Sequence, residues 1–123
     1  MSARLGFLLL VAIGSVACAG YDQEHQAELE AAFPPGKMTH AQVDARMNSG
    51  DRAGSPPRTV ARPGTGWTDV RALECERRRA RRVATAEYWM NACGSLVSMT
   101  LCRSQFYYDD DGVLACVSEW QSD

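Results

Sequence analysis

Four cysteines in the second half of the chain constrain its fold more than any other feature, because a disulfide forms only where two backbones come close together. They are Cys75, Cys93, Cys102 and Cys116. At 123 residues the chain has room for one small domain, and each bridge would add about 2–4 kcal/mol to its stability. None of them forms a C-x-x-C pair, which disfavours zinc binding and thioredoxin-like chemistry. We therefore predict two structural disulfides, formed in an oxidising compartment.

The N-terminal segment predicts how the chain reaches such a compartment. Arg4 gives a short basic start, and the run LGFLLLVAIG that follows is apolar over ten residues. A transmembrane helix needs about 20 such residues, so this run is typical of an export signal instead. We expect residues 1–19 to be a signal peptide.

The end of this signal allows two interpretations. The sequence ACA at 17–19 has the small-x-small pattern of a signal peptidase I site, which would remove Cys18 and leave Gly20 as the N-terminus. The overlapping sequence SVAC resembles a bacterial lipobox, in which the cysteine is lipidated and becomes the first mature residue, although Ser15 replaces the preferred Leu. Because the other four cysteines can pair among themselves, we favour lipidation of Cys18.

Two short helices are predicted in the next part of the chain. Residues 22–33, DQEHQAELEAAF, are rich in helix formers and are followed by two prolines, although their thin apolar face also allows a tether over 20–36. Thr39 and Gln42 form a capping box, which starts a second helix at His40. Val43 and Met47 then share its buried face.

The middle of the chain is less clear. Residues 48–66 contain several glycines and prolines and almost no large apolar side chain, which predicts a loop. WTDVRALECERRRARRVA, from 67 to 84, permits a helix capped by Thr68, and its end could also run into a strand. In TAEYWMNACG, which follows, the aromatic residues favour a strand.

The C-terminal part predicts a β-hairpin. Two β-rich runs flank the sequence DDDG, and a two-residue turn at Asp111-Gly112 would need positive φ at both residues. That turn places Tyr107 opposite Cys116 and Gln121 opposite Cys102, so the two cysteines point to opposite faces of the sheet. We therefore expect each of them to pair with Cys75 or Cys93.

The order of these parts resembles the SmpA/OmlA (BamE-like) small lipoproteins and the related fold of the β-lactamase-inhibitor proteins. The resemblance is carried by the entry into the second helix and by the last hairpin, at Gly36, Met38, Thr39, Val43, Phe106, Tyr107, Asp111 and Gly112. It implies helices packed on a three-stranded antiparallel sheet, and it implies an envelope assembly factor or a protein inhibitor without an active site.

Taken together, these features predict an α+β fold. Two short N-terminal helices would pack on a small antiparallel β-meander of about three strands, with two disulfides. We expect a single domain over residues 37–123, interrupted by the loop at 48–66.

Candidate chemistry is sparse. His25 and His40 are the only side chains that titrate near neutral pH, and neither lies in a metal-ligand or nucleophile motif. We expect both to be exposed on helices. The sequence DDDG lacks the alternating ligands and final Glu of an EF-hand. The sequence therefore predicts no catalytic residue, no metal and no cofactor.

The sharpest charge feature is the run ERRRARR at 76–82. Its arginines, with Trp120, are candidate partner-binding residues for an acidic protein or anionic head groups, and the alternative is a solvated helix face. The five arginines are Arg77, Arg78, Arg79, Arg81 and Arg82. A formal net charge of -2, together with export, disfavours nucleic acid as a partner.

These expectations combine into one functional hypothesis. The chain would be a bacterial envelope lipoprotein, held in the membrane by a lipid on Cys18, that acts as a non-catalytic binding or assembly module for a protein or envelope component. Ala19, rather than Asp, after the cysteine resembles lipoproteins sorted to the outer membrane, facing the periplasm. The alternative is a freely secreted or periplasmic inhibitor-like protein released by signal peptidase I.

Overall fold

A computed structural model describes residues 23–49, 56–92 and 101–122. The predicted signal peptide, Cys18 and Cys93 lie outside these residues. The described chain is α+β, and its elements in order are α1 (23–32), α2 (His40–Met47), β1 (Arg58–Ala61), α3 (Val70–Arg79), β2 (Thr85–Ala92), β3 (Leu101–Tyr108) and β4 (Leu114–Ser122). Within it, no helix is both long and apolar enough to cross a bilayer.

The strands form one antiparallel sheet in the order β1-β2-β3-β4. The α+β class was predicted, but the expectation of two helices and about three strands was too low, because the described residues form three helices and four strands. The extra strand is β1, so the predicted loop over 48–66 is wrong at residues 58–61. Thr59 and Val60 are β-branched and favour a strand, but the surrounding prolines and glycines obscured them.

Helices α1 and α2 cover one face of the sheet, which we call the α1/α2 face. Here Phe33 packs edge-on against Phe106, with ring centroids 4.9 Å apart. The predicted buried residues of α2 are confirmed, and α1 contributes to the same core rather than acting as a tether. The cluster comprises Leu29, Phe33, Val43, Met47, Trp89, Phe106, Tyr108, Leu114 and Val117.

Helix α3 covers the opposite face, which we call the α3 face. A disulfide joins Cys75 of α3 to Cys116 of β4, with 6.1 Å between their α-carbons. This confirms the predicted pairing of Cys116 with one of two candidates. Cys102 is also disulfide-bonded, and its partner lies outside the described residues.

The N-cap of α3 differs from the prediction. Asp69, rather than Thr68, begins the helix, and its carboxylate accepts hydrogen bonds from the backbone N–H groups of Arg71 and Ala72. Aspartate is as good an N-cap as serine or threonine. The sequence WTDV offers both residues, and the pattern did not distinguish between them.

The β3–β4 hairpin has the predicted register by a route that was not predicted. Cys102 lies opposite Gln121 and Tyr107 opposite Cys116, as expected. The loop, however, has three residues between Asp109 and Val113, and of its residues Gly112 alone has a positive φ, of 75°. This loop shifts the register by one residue, and a β-bulge at Ala115 shifts it back, because Tyr108 pairs with Leu114 and Tyr107 with Cys116.

The hairpin loop also holds the start of α2 against the sheet. Thr39 forms an isolated β-bridge with Val113, and the His40 N–H donates to the Gly112 carbonyl at 3.0 Å. The capping box predicted from Thr39 and Gln42 is present. These contacts fix His40 above the α1/α2 face, where the first candidate site lies.

Candidate functional site

A buried carboxylate stands at the centre of the α1/α2 face. Glu87 is next to Trp89 on the same side of β2, and its side chain is only 1% exposed. Trp89 Nε1 donates a hydrogen bond to Glu87 Oε1 at 2.9 Å, and the Tyr108 hydroxyl donates to the same oxygen at 3.1 Å. The two donors hold the carboxylate in one orientation, with Oε2 directed toward α2.

Two side chains of α2 meet that second oxygen. His40 Nε2 lies 2.6 Å from Glu87 Oε2. It also lies 3.5 Å from Asp44 Oδ2, because residues four apart share a helix face. The His40 ring stacks on Tyr108 with centroids 4.4 Å apart. One ligand atom from each of His40, Asp44 and Glu87 lies within 4.8 Å of the others, so these residues could hold a metal ion. We call them the His40 cluster.

The His40 cluster contains more acidic than basic groups. The pKa of the Asp44 carboxyl is raised to about 6, chiefly by burial. A hydrogen bond to Glu87 and repulsion by the Glu87 charge also raise this pKa, whereas the charge of His40 lowers it. Asp44 Oδ1 is buried and has no hydrogen-bond partner among the described residues. The cluster therefore concentrates two acids around one imidazole.

The expectation for His40 is confirmed for its position and met only in part for its exposure. The side chain is at the first position of α2, as predicted, but it is only 38% exposed and it contacts Glu87. The two residues are 47 positions apart in the sequence, so no local motif could have paired them. The sequence did contain one signal. Glu87 is a charged residue two positions before Trp89 in a predicted strand, and residues two apart in a strand lie on the same face.

A second polar cluster lies on the α3 face around Asp69. The hydroxyls of Tyr88 and Tyr107 donate to Asp69 Oδ2 at 2.6 and 2.8 Å, while Oδ1 accepts from two backbone N–H groups. Burial alone would raise the pKa of Asp69, but these four hydrogen bonds outweigh it and hold the pKa below its ordinary value. Burial and the neighbouring carboxylate raise the pKa of both tyrosines.

A groove of about 670 Å³ opens beside Asp69, between the start of α3 and strands β1 to β3 of the sheet. Its charged lining residues are three arginines and one acid, so the lining carries a formal charge of +2. These residues are Arg58, Arg71, Arg103 and Asp69. Trp67 and Tyr88 supply aromatic surface, and the Arg103 guanidinium lies 5.9 Å from the centre of the Tyr88 ring. We call this the arginine groove.

The arginine run predicted from the sequence lies elsewhere, at the end of α3 and just beyond it. Arg78 and Arg79 approach Glu30 of α1 at 3.9 and 3.8 Å, and Arg81 pairs with Asp109 at 3.0 Å. Arg77 and Arg82 are exposed and pair with no acid of the described residues. None of the five lines the arginine groove.

Trp120, the remaining candidate, belongs to β4 opposite Arg103, but its side chain is outside what the structure describes. The groove arginines were missed because Arg58, Arg71 and Arg103 are isolated in the sequence, and only the antiparallel pairing and α3 bring them together.

Comparisons with protein-family models, curated proteins and solved structures gave no match. The class of protein that the fold defines is therefore stated from its own architecture: a disulfide-bonded α+β domain with helices on both faces of a four-stranded antiparallel sheet.

Proposed function

We propose that this protein is an exported, non-catalytic binding domain, anchored to a bacterial envelope membrane by a lipid on Cys18, whose arginine groove binds an acidic segment of a partner protein. The observation that carries the binding proposal is the groove itself, which is lined by three arginines and one carboxylate. That carboxylate, Asp69, already accepts four hydrogen bonds.

The groove has the chemistry that an acidic peptide requires. A guanidinium binds a carboxylate through two parallel hydrogen bonds, which gives arginine-lined sites both affinity and orientation. Arg58 and Arg71 line the groove from two different elements, β1 and α3. Val70, which lines the groove next to Arg71, is 72% exposed, so the groove also offers apolar contact to a partner.

Support for export comes from the cysteines. Cys75 and Cys116 are disulfide-bonded and buried, and Cys102 is also disulfide-bonded, and such bonds persist in oxidising compartments. The signal-like N-terminus and the lipobox-like sequence ending at Cys18 support the same location. The resemblance to small envelope lipoproteins supports an assembly or binding role in the outer membrane, facing the periplasm.

Capture of partners from membrane extracts, with the disulfides intact, tests the binding site. The double variant Arg58→Glu/Arg71→Glu should lose the partners that the wild type captures, because it reverses the charge of the groove. The matched control is Arg77→Glu/Arg82→Glu, which changes the same number of charges on the exposed arginine run. If the control loses the partners and the groove variant keeps them, the arginine run is the binding site and the groove proposal fails.

Mass spectrometry of the mature N-terminus tests the anchor. A diacylated or triacylated Cys18 supports it, whereas an unmodified Gly20 start contradicts it. The second outcome would favour the alternative function, a freely secreted or periplasmic inhibitor-like protein. The observation in favour of that alternative is the sequence ACA at 17–19, which fits signal peptidase I.

A further inference from the structure

We infer that His40, Asp44 and Glu87 form a binding site for a divalent transition-metal cation of the Zn²⁺ type. This site lies on the α1/α2 face, whereas the arginine groove lies on the α3 face, so the inference is independent of the proposed function.

The three residues bring one ligand atom each within 4.8 Å of the others, and two of the distances can be compared with those of a metal site. Zn²⁺ takes nitrogen and oxygen ligands at about 2.0–2.2 Å in tetrahedral geometry, which puts neighbouring ligand atoms about 3.3 Å apart. His40 Nε2 and Asp44 Oδ2 are 3.5 Å apart, and His40 Nε2 and Glu87 Oε2 are 2.6 Å apart. The first pair needs almost no change, and the second must open by roughly 0.7 Å to admit the ion.

Two neighbouring side chains already orient the Glu87 carboxylate. Trp89 and Tyr108 both donate to Glu87 Oε1, so Oε2 is left for the ion, and Tyr108 also stacks on the His40 ring. Hydrogen bonds of this kind orient metal ligands, and their loss typically weakens metal binding about 10- to 100-fold. Three protein ligands and the partial exposure of His40 leave a fourth position for water.

The charge of the cluster also favours a cation. Glu87 is 1% exposed, and a carboxylate charge buried to this extent needs a compensating charge. Asp44, which is 38% exposed, adds a second carboxylate beside it. Among the described residues, His40 is the only basic side chain that pairs with either acid. A bound dication would offset both carboxylates and would give the buried Asp44 Oδ1 an electrostatic partner nearby.

The ligand set discriminates between cations. One imidazole nitrogen with two carboxylates suits Zn²⁺ and its spectroscopic substitute Co²⁺. Ca²⁺ prefers six to eight oxygen ligands, and Mg²⁺ prefers oxygen ligands in octahedral geometry. We therefore expect Zn²⁺ to bind much more tightly than Mg²⁺.

Calorimetric titration of the full chain, purified with its disulfides intact and freed of metal by a chelator, tests the inference with ZnCl₂ and MgCl₂. We expect one Zn²⁺ per chain. His40→Gln and Asp44→Asn should each weaken binding at least tenfold. Tyr108→Phe should weaken it about tenfold, because it removes the hydroxyl that orients Glu87. Co²⁺ should give the visible absorption of a low-coordinate site in the wild type, and lose it in His40→Gln.

His25→Gln is the matched control, because His25 Nε2 lies 3.1 Å from Glu119 Oε1 in a second, more exposed histidine–carboxylate contact. Its Zn²⁺ affinity should equal that of the wild type. The inference is overturned if the wild type binds no Zn²⁺, or if His25→Gln lowers the affinity as much as His40→Gln. Circular dichroism and the free thiol content of each variant identify loss of folding. Asp44→Asn lies at a partly exposed helix position and keeps the test valid if the Tyr108→Phe variant unfolds.

Discussion

Asp69 and Glu87 are carboxylates held against opposite faces of the same sheet, and their surroundings differ. Asp69 accepts four hydrogen bonds, two from tyrosine hydroxyls and two from backbone N–H groups. Glu87 has two donors on one oxygen, while its other oxygen faces His40 and a second acid, Asp44. A carboxylate with a full set of donors is a structural element of the fold, whereas one that faces a second acid retains capacity for a ligand.

The disulfide of the α3 face gives the largest expected difference between the two faces. Replacing Cys75 and Cys116 together by Ala opens a link across a sequence separation of 41, and loop-closure entropy predicts a loss of about 4 kcal/mol. Urea unfolding of the oxidised wild type and the double variant measures it. A loss below about 1 kcal/mol would mean that packing of α3 alone holds this face together.

Core packing on the α1/α2 face comes next. Met47 is fully buried beneath α2, so Met47→Ala should cost about 3 kcal/mol through lost burial and the cavity left behind. Leu73→Ala on the outer side of α3 is the matched control, because Leu73 is 47% exposed and its loss should stay within about 0.5 kcal/mol. Equal losses in thermal or urea unfolding would contradict the described burial of α2.

Neutralising Asp69 should destabilise the protein. Asp69→Asn keeps an N-cap but removes charge-assisted hydrogen bonds, at a cost of about 2 kcal/mol near pH 7. Because the folded-state pKa of Asp69 is lowered, its contribution is present above about pH 4 and is lost as the pH falls through the folded pKa. Urea unfolding at several pH values should show the wild type and Asp69→Asn converging in acid, and Asp110→Asn at the exposed loop should show no such change.

Neutralising Asp44 should have the opposite sign and the smallest effect. Its folded-state pKa is raised to about 6, so the metal-free wild type loses stability as the pH rises from about 4 to 6. Asp44→Asn removes this loss and should stabilise the protein at pH 7 by up to about 1 kcal/mol, a figure reduced for solvent screening of a half-exposed group. Unfolding in the presence of a chelator measures it, with the exposed Glu28→Gln as control. Destabilisation at pH 7 would mean that Asp44 acts as Asp69 does.

Some parts of the fold could be predicted because their signals are local. The capping box at Thr39 and the spacing of Val43 and Met47 place α2 without reference to the rest of the chain. Strand β1 could not be found in this way, since RTVA is short and its pairing with β2 depends on residues more than 20 positions away. The same limit applies to the His40 cluster and the arginine groove, which are assembled by sheet pairing.

The β3–β4 hairpin shows a prediction that is right for an incomplete reason. The expected register holds at Cys102 and Cys116 although the turn is of another type, since the bulge at Ala115 compensates for the longer loop. The bulge also breaks the usual alternation of side chains between the two faces along β4. Leu114 and Val117 face one core cluster while Ala115 and Cys116 face the other, and no pattern in VLACV predicts that change.

Strand β1 has a consequence for behaviour at high protein concentration. Among the described strands it has only β2 as a neighbour in the sheet, and the backbone groups of an edge strand can pair with another chain and begin aggregation. The strand is only four residues long, follows Pro56 and Pro57, and begins with the charged Arg58. Short length, proline and charge are the features by which natural sheets discourage association between edges. The segment therefore protects the molecule from forming extended sheets with its own copies.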